Sequence, residues 1–220
     1  MIYDDVCPLC KAYTNGFVEL GWLLPHHRVG FSNITEDMKQ RIDIDRARHE
    51  IPLYDIKTGE TLYGKEALFF ILGERFPILK PLFQFFIFRF FINILYQIIT
   101  YNRRIIAGSK PPVSGFDCAP DFNLFYRFVY IFVALSISGV LQHKIIQSIG
   151  NELFIFYGFA LLAAFFVLFI KGFEKQITYL GHLATVILIL HLFGLVLGFS
   201  IFTVLILLTF GTYLMYRRLG

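Results

Sequence analysis

The 220-residue chain has little cysteine and, in its second half, little charge. Three cysteines are too few for a scaffold held together by disulfides. Residues 122–220 contain eight charged side chains, whereas residues 1–110 contain 14 Lys and Arg and 12 Asp and Glu. The first half therefore has the composition of a water-soluble domain, and the second half is too apolar for one.

Two further features are missing. The chain has no basic stripe with interleaved aromatic residues, so its net charge of +4 is only weak evidence for nucleic-acid binding. We therefore expect no nucleic-acid partner. Residues 1–12 include Asp4 and Asp5, where a signal peptide would have a basic start and an apolar stretch. We therefore expect the N-terminal domain to stay in the compartment where it is made, and we expect no cofactor.

What the chain does contain is a pair of cysteines, Cys7 and Cys10, at the start of a helical pattern over residues 8–24. Pro8 falls in the first turn, where its missing N–H costs nothing. The free N–H groups and the positive dipole of a helix N-terminus favour thiolate over thiol. We therefore expect Cys7 to be the nucleophile of thiol–disulfide exchange. Cys10, one turn further and normally more buried, would resolve the mixed disulfide.

An acidic residue beside this pair could move a proton to or from Cys10. Asp4 and Asp5 are both candidates, and the spacing alone does not choose between them.

The rest of the first half alternates strands and helices, with the order β-α-β-α-β-β-α. The predicted elements are a strand ending at 3, the helix over 8–24, a strand over 28–31, a polar helix from 35 to about 48 with Thr35 as its N-cap, a hairpin over 51–63 and a helix from 65 to about 73. This order predicts an α/β, thioredoxin-like domain with a small central sheet and flanking helices.

Residues 82–105 predict an amphipathic helix. Apolar residues cover most of its surface. The polar residues recur at steps of three and four and share one face: Arg89, Asn93, Gln97, Thr100 and Arg104. Such a helix is suited to lying in a membrane interface or packing on the domain, and crossing the bilayer is the alternative. The predicted domains are a redox domain over 1–76, this helix with a Pro- and Gly-rich linker over 77–121, and a transmembrane region over 122–220.

The transmembrane region is predicted to be an all-α bundle of about four helices, each close to the ~20 residues that span a bilayer. The candidate spans are 124–142, 153–170, 179–197 and 200–216. With these spans, eight Lys and Arg fall on one side of the membrane and Lys144 on the other. The positive-inside rule then places both termini in the cytoplasm, with the protein in an inner or plasma membrane.

The N-terminal motif Tyr3-Asp4-x-x-Cys7-Pro8-x-Cys10 resembles that of the DCC (Asp-Cys-Cys) thiol–disulfide oxidoreductase family. The similarity continues over roughly residues 1–106, through Thr58-Gly59, Gly64-x-x-Ala67-Leu68, Pro81, Tyr96 and Asn102-Arg103. The resemblance implies a thioredoxin-like fold, protein-disulfide reduction and Asp4, Cys7 and Cys10 as the functional residues. The chain differs from the family in having Asp5 where glycine is common and a very short first strand.

Two more residues are candidates for the site. Pro52 lies where thioredoxin-like folds often place a cis-proline facing the cysteine pair, and an ordinary trans-proline at a strand edge is the alternative. Cys118, just ahead of the first candidate span, is either an accessory redox thiol or an unrelated juxtamembrane cysteine.

Other functions remain open from the sequence. Cys7 and Cys10 could be half of a zinc site, although the chain has no second closely spaced ligand pair; its other potential ligands are His26, His27, His49 and Cys118. His182 and His191 could contact haem or quinone, but they are nine residues apart and do not share a helix face. The domain could also lie on the outer side of the membrane, if residues 82–100 span the bilayer. A different class of function, a non-catalytic membrane scaffold or binding module, is also open.

The function expected from the sequence is a membrane-anchored thiol–disulfide oxidoreductase of the protein-disulfide reductase type. Its partners would be a protein or small-molecule disulfide, a dithiol electron donor and the lipid bilayer. No metal is expected.

Overall fold

The computed structural model describes residues 1–110, 118, 120–146, 152–198 and 200–219, and the chain divides into two units, Met1–Asp121 and Phe122–Gly220. Part of the predicted linker, residues 111–117 and 119, lies outside the described residues.

The first unit begins with a strand, a helix and a second strand. β1 (Ile2–Tyr3) pairs in parallel with β2 (Val29–Gly30), and α1 (Pro8–Glu19) lies between them in sequence. Pro8 is the first residue of α1, as the sequence predicts. The helix is shorter than the predicted 8–24, and Gly21 follows its end with a positive φ of 69°.

Thr14 and Arg28 tie α1 to the strands. Thr14 is fully buried, and its Oγ1 donates to the carbonyl oxygen of Cys10 (2.8 Å) and accepts from Nε of Arg28 (2.9 Å). The Arg28 guanidinium also lies 3.9 Å from the ring centroid of Tyr3. These contacts join the first turns of α1 to β1 and to the residue that precedes β2.

The polar helix predicted over 35–48 is two helices, α2 (Glu36–Arg41) and α3 (Ile44–His49). Thr35 caps α2 as predicted, accepting a hydrogen bond from a backbone N–H three residues on. The break occurs because Ile42 has an extended backbone and Asp43 caps a second helix, accepting from another backbone N–H.

The predicted hairpin is present. β3 (Pro52–Tyr54) and β4 (Thr61–Tyr63) are antiparallel, and α4 (Lys65–Arg75) follows. Gly64 connects β4 to α4 with a φ of 55°, a conformation that favours glycine. The described strands thus form two small two-stranded sheets with helices around them, where the sequence predicted one central sheet.

The amphipathic helix packs within the first unit. A short helix, α5 (Lys80–Gln84), precedes α6 (Phe86–Ala107), and the axis bends by 88° between residues 77–84 and α6. The polar face of α6 contacts α4, where Lys65 Nζ donates to Asn93 Oδ1 at 2.6 Å and Arg89 pairs with Glu66. Its opposite face exposes large apolar side chains: Phe86, Ile87, Phe90, Phe91, Ile94, Leu95 and Ile99.

The second unit is helical. It contains α7 (Leu124–Ile146), α8 (Glu152–Phe165), α9 (Phe173–Leu197) and α10 (Ile201–Leu219). α9 packs against α7 and α10. Leu183, Val186 and Leu190 of α9 are buried in the apolar core of this unit.

Two of the described helices are long and apolar enough to cross a membrane, over Leu124–Gln142 and Phe173–Leu197. They coincide with the first and third predicted spans. A third is possible by the same criteria if the bent pair Pro77–Gln84 and Phe86–Ala107 is one span. The second predicted span corresponds to a shorter apolar helix, Tyr157–Phe169, and the fourth to α10.

Candidate functional site

Asp4 shapes the loop that carries the first cysteine. Its Oδ1 accepts hydrogen bonds from the backbone N–H groups of Val6 (3.0 Å) and Cys7 (3.1 Å). Cys7 has an extended backbone as the N-cap of α1, and its carbonyl accepts the first helical hydrogen bond, from Lys11. The turn between β1 and α1 thereby holds a carboxylate beside the thiol.

The two thiols and this carboxylate converge. Cys7 and Cys10 are free thiols, and their Sγ atoms and a carboxylate oxygen of Asp4 all lie within 4.8 Å of one another. Cys7 is 3% exposed and Cys10 6% exposed. Both thiols are therefore buried in this structure, in which α6 packs against α1.

A buried arginine from α6 completes the group. Arg103 is 6% exposed, and its Nη2 lies 3.3 Å from Oδ2 of Asp4 while its Nη1 lies 3.8 Å from Sγ of Cys10. Nη2 also donates to the carbonyl oxygens of Arg48 and Cys118. Sequence reasoning assigned no role to Arg103, because 93 residues separate it from Cys10. One signal was available in the sequence, because Asn102-Arg103 is among the motifs that carry the family resemblance.

The pKa of Cys7 is lowered to about 6. The main cause is a hydrogen bond from the Cys10 thiol, followed by one from the Cys10 backbone N–H and by the charge of Arg103. Burial and the Asp4 carboxylate act in the opposite direction. Because a thiolate is the nucleophilic form, these contacts favour the nucleophilic form of Cys7 over that of Cys10.

The pKa of Cys10 is raised. Its thiol donates to the Cys7 sulfur, and burial disfavours its charged form, while Arg103 favours it. Cys10 therefore keeps its proton as long as Cys7 carries the negative charge. The roles of Cys7 as nucleophile and of Cys10 as resolving thiol stay predictions.

Asp5 points away from the dithiol. Its Oδ2 accepts a hydrogen bond from the Ser32 hydroxyl. Its Cβ lies so close to Gly30 that a Cβ added to Gly30 would be 3.0 Å from it. The structure thus answers the choice left open by the sequence, because Asp4 is the carboxylate at the site.

Pro52 begins β3 and is fully buried. No described peptide bond is cis, so the Ile51–Pro52 bond is trans, which is one of the two alternatives that the sequence left open. Pro52 lies opposite Tyr63 as the first residue of its strand, a position in a sheet that a proline can occupy.

Cys118 is 5% exposed and packs in an apolar cluster with Ile2 and Phe31. The carbonyl oxygen of Cys118 accepts a hydrogen bond from Arg103, and this contact joins Cys118 to the site. The group of atoms within 4.8 Å of one another comprises Asp4, Cys7 and Cys10 and does not include the Cys118 thiol. A redox role for Cys118 stays a prediction.

Two thiols and a carboxylate could in principle bind a metal ion. The set offers three ligands, one fewer than a structural zinc site, and the Arg103 guanidinium lies 3.3 and 3.8 Å from two of them. A fixed positive charge at that distance opposes a cation. The histidines considered for a zinc site do not belong to this set of three ligands. The His26 ring contacts the His27 ring, and the His49 ring contacts the Tyr101 ring.

Residues 1–109 match the model of the family described as DCC1-like thiol-disulfide oxidoreductase. The match spans the whole group from Asp4 to Arg103 and supports disulfide oxidoreductase chemistry for this part of the chain. The resemblance drawn from the motif is confirmed over these residues. Neither a curated protein nor a solved structure matches the chain.

Proposed function

We propose that the chain is a membrane-anchored thiol–disulfide oxidoreductase of the protein-disulfide reductase type. The observation that carries the proposal is the Cys7 sulfur at the N-terminus of α1, hydrogen-bonded by Cys10 and close to the charge of Arg103. This environment stabilises a thiolate, which is the attacking species in disulfide exchange.

In the first step the Cys7 thiolate attacks one sulfur of a substrate disulfide. A Cys7–substrate disulfide forms, the substrate S–S bond breaks, and the other substrate sulfur leaves as a thiolate that takes up a proton. The negative charge on Cys7 is lost in this step.

Loss of that charge prepares Cys10 for the second step. The hydrogen bond to Cys7 and its charge are two of the causes that raise the Cys10 pKa, and both vanish in the mixed disulfide, while the attraction of Arg103 remains. Asp4 lies close enough to accept the Cys10 proton, directly or through water. The Cys10 thiolate then attacks the Cys7 sulfur, a Cys7–Cys10 disulfide forms, and the second substrate sulfur leaves. A separate dithiol donor reduces the pair and restores the two thiols.

The second unit and α6 are proposed to hold this domain at a membrane. Leu124–Gln142 and Phe173–Leu197 meet the length and composition of spans, and we propose that α8 and α10 complete a four-helix region. α6 cannot easily cross the bilayer, because Arg89 and Asn93 on its polar face are bound to α4. We propose that its exposed apolar face lies in the membrane interface, with the redox domain and both termini in the cytoplasm.

One observation favours a different class, a non-catalytic membrane scaffold or binding module. Both thiols are buried, so a substrate disulfide reaches Cys7 only after neighbouring side chains move. A thiol pair that stays covered would be part of the packed core and would have no redox role.

The test is a thiol-trapping titration of the full chain in detergent across glutathione buffers, with Cys7→Ser and Cys10→Ser as controls. The proposal predicts a reversible two-electron transition between about −180 and −270 mV, the range of known disulfide oxidoreductases. Cys10→Ser should accumulate a mixed disulfide on Cys7. If the wild-type chain forms no Cys7–Cys10 disulfide in the most oxidising buffer, the enzyme proposal fails and the scaffold remains.

A further inference from the structure

The dithiol and the two charged side chains beside it are almost closed to solvent. Cys7 and Cys10 are 3% and 6% exposed. The side chains of Arg103 and Asp4 are 7% and 11% exposed. A protein disulfide brings its own chain to the site, so neighbouring side chains have to move before it reaches a sulfur. A molecule close to water in size needs far less room, and the enclosure therefore favours a very small oxidant.

The enclosed group offers a small polar molecule both hydrogen-bond donors and acceptors. Arg103 Nη1 lies 3.8 Å from Sγ of Cys10, and Nη2 lies 3.3 Å from Oδ2 of Asp4. Arg103 Nε is buried and has no hydrogen-bond partner among the described residues, so the guanidinium has a further donor. A guanidinium only donates and a carboxylate only accepts. Hydrogen peroxide donates and accepts and carries no charge, so it can bond to both groups without adding a charge to the site.

We propose that the dithiol also reduces hydrogen peroxide, which reaches Cys7 in the enclosed site. The inference rests on the proposed function, because it uses the same nucleophile and the same dithiol donor, with a peroxide in place of the substrate disulfide. A peroxide oxidises a thiolate to a sulfenic acid, which condenses with a neighbouring thiol to a disulfide. The sulfurs of Cys7 and Cys10 lie within 4.8 Å of each other, so the thiol for that condensation is at hand.

In the first step the Cys7 thiolate attacks one oxygen of the peroxide. An S–O bond forms, the O–O bond breaks, and the second oxygen leaves with the electron pair as hydroxide. The Cys10 thiol, within 4.8 Å of the reacting sulfur, gives this hydroxide a proton and turns it into water. The Arg103 guanidinium donates to the leaving oxygen and stabilises the negative charge that develops on it.

In the second step Cys10, now a thiolate with a guanidinium nitrogen 3.8 Å from its sulfur, attacks the Cys7 sulfenic acid. The S–S bond forms, the S–O bond breaks, and the hydroxide that leaves takes up a proton from solvent. Over the two steps one peroxide and one solvent proton are consumed, the dithiol loses two electrons and two waters are released. The dithiol donor of the proposed function then reduces the disulfide and restores both thiols.

The test measures the rate of oxidation of the reduced full chain in detergent. Hydrogen peroxide or the bulky tert-butyl hydroperoxide is added, and the Cys7–Cys10 disulfide is followed by thiol alkylation and mass spectrometry. Free glutathione, whose thiol is fully accessible, is the reference, and rates are expressed per thiolate from their pH dependence. Hydrogen peroxide should oxidise the chain roughly a hundredfold faster than glutathione, the effect of one donor at a developing oxyanion. The bulky peroxide should show no such gain.

Variants separate the roles of the side chains. Cys7→Ser should abolish the reaction, and Cys10→Ser should stop it at a Cys7 sulfenic acid that dimedone labels. Arg103→Gln should remove most of the gain over glutathione. Arg104→Gln is the matched control, since it removes the same charge from the next residue of α6, and it should react at the wild-type rate. If Arg103→Gln does not fold, the selectivity of the wild-type chain between the two peroxides decides.

The outcomes distinguish this inference from the proposed function. Fast and selective oxidation by hydrogen peroxide, lost in Arg103→Gln, supports the inference. A chain that glutathione disulfide oxidises reversibly, but that hydrogen peroxide oxidises no faster per thiolate than it oxidises glutathione, keeps the proposed function and overturns the inference. Equal gains with both peroxides also overturn it, because the enclosure then does not select the oxidant. Oxidation by neither glutathione disulfide nor hydrogen peroxide overturns both.

Discussion

Replacing Arg103 by glutamine should raise the pKa of the Cys7 thiol. The Arg103 Nη1 lies 3.8 Å from the Cys10 sulfur, and the two sulfurs lie within 4.8 Å of each other. Cys7 is therefore within about 9 Å of the guanidinium, where a unit charge is worth ~2 kcal/mol at an effective dielectric constant of about 20. That energy corresponds to about 1.5 pKa units, so the Cys7 pKa should move from about 6 toward about 7.5.

The assay is alkylation of the full chain in detergent as a function of pH, followed by mass spectrometry of the Cys7 peptide. The midpoint of the pH profile is the readout, because the reactivity of each thiolate also changes with its pKa. Arg104→Gln is the matched control on α6, since Arg104 is not among the groups that shift either thiol. An unchanged midpoint in a folded Arg103→Gln protein would refute the electrostatic reasoning.

The same substitution should also lower stability. Arg103 and Asp4 are 7% and 11% exposed at their side chains, and removing one partner of a buried pair costs about 3–5 kcal/mol. Adding Asp4→Asn to Arg103→Gln should recover part of this loss, because the double variant no longer buries an unpaired carboxylate. Chemical denaturation of the single and double variants measures the recovery, and strictly additive losses would contradict the pairing.

Four further results are expected. Asp4→Asn keeps the side-chain oxygen that accepts from the loop but removes its charge, so the pKa of Cys7 should fall below about 6, as pH-dependent alkylation would show. Gly64→Ala should destabilise by about 1–3 kcal/mol, because φ is 55° and a Cβ would lie 2.7 Å from a tyrosine hydroxyl of α6. Gly16→Ala, with open space in α1, should instead stabilise by ~0.5–1 kcal/mol in the same denaturation assay. Finally, because the folded Cys7 pKa is below its unfolded value, reduced protein should gain stability as pH rises from about 6 to about 8.5, by up to ~3 kcal/mol. Cys7→Ser should abolish that gain, and a slope that survives the substitution would assign it to another group.

The local part of the site could be predicted from the sequence. Cysteines two residues apart with Pro8 in the first helical turn define the start of α1, and Asp4 lies three residues ahead, within reach of the same turn. These contacts involve neighbours in the chain, so periodicity and turn chemistry are enough to place them. The cap at Thr35 is predictable for the same reason.

Contacts between distant segments were not predictable in this way. Arg103 reaches Cys10 through the packing of α6 on α1, and nothing in the pattern around either residue encodes that distance. The burial of Cys7 likewise follows from tertiary packing. The break at Ile42 and Asp43 was a different kind of miss, because Asp43 is a recognisable N-cap inside a stretch treated as one helix.

The origin of Arg103 in α6 also determines when the dithiol becomes reactive during synthesis. A ribosome makes Cys7 and Cys10 first and needs 93 further residues after Cys10 before the guanidinium exists. Until α6 has emerged and packed, the nascent chain carries thiols without that positive charge, and the Cys7 pKa is higher than in the finished unit. The newly made Cys7 is thus a weaker nucleophile while unfolded segments surround it, and full reactivity arrives with completion of the first unit.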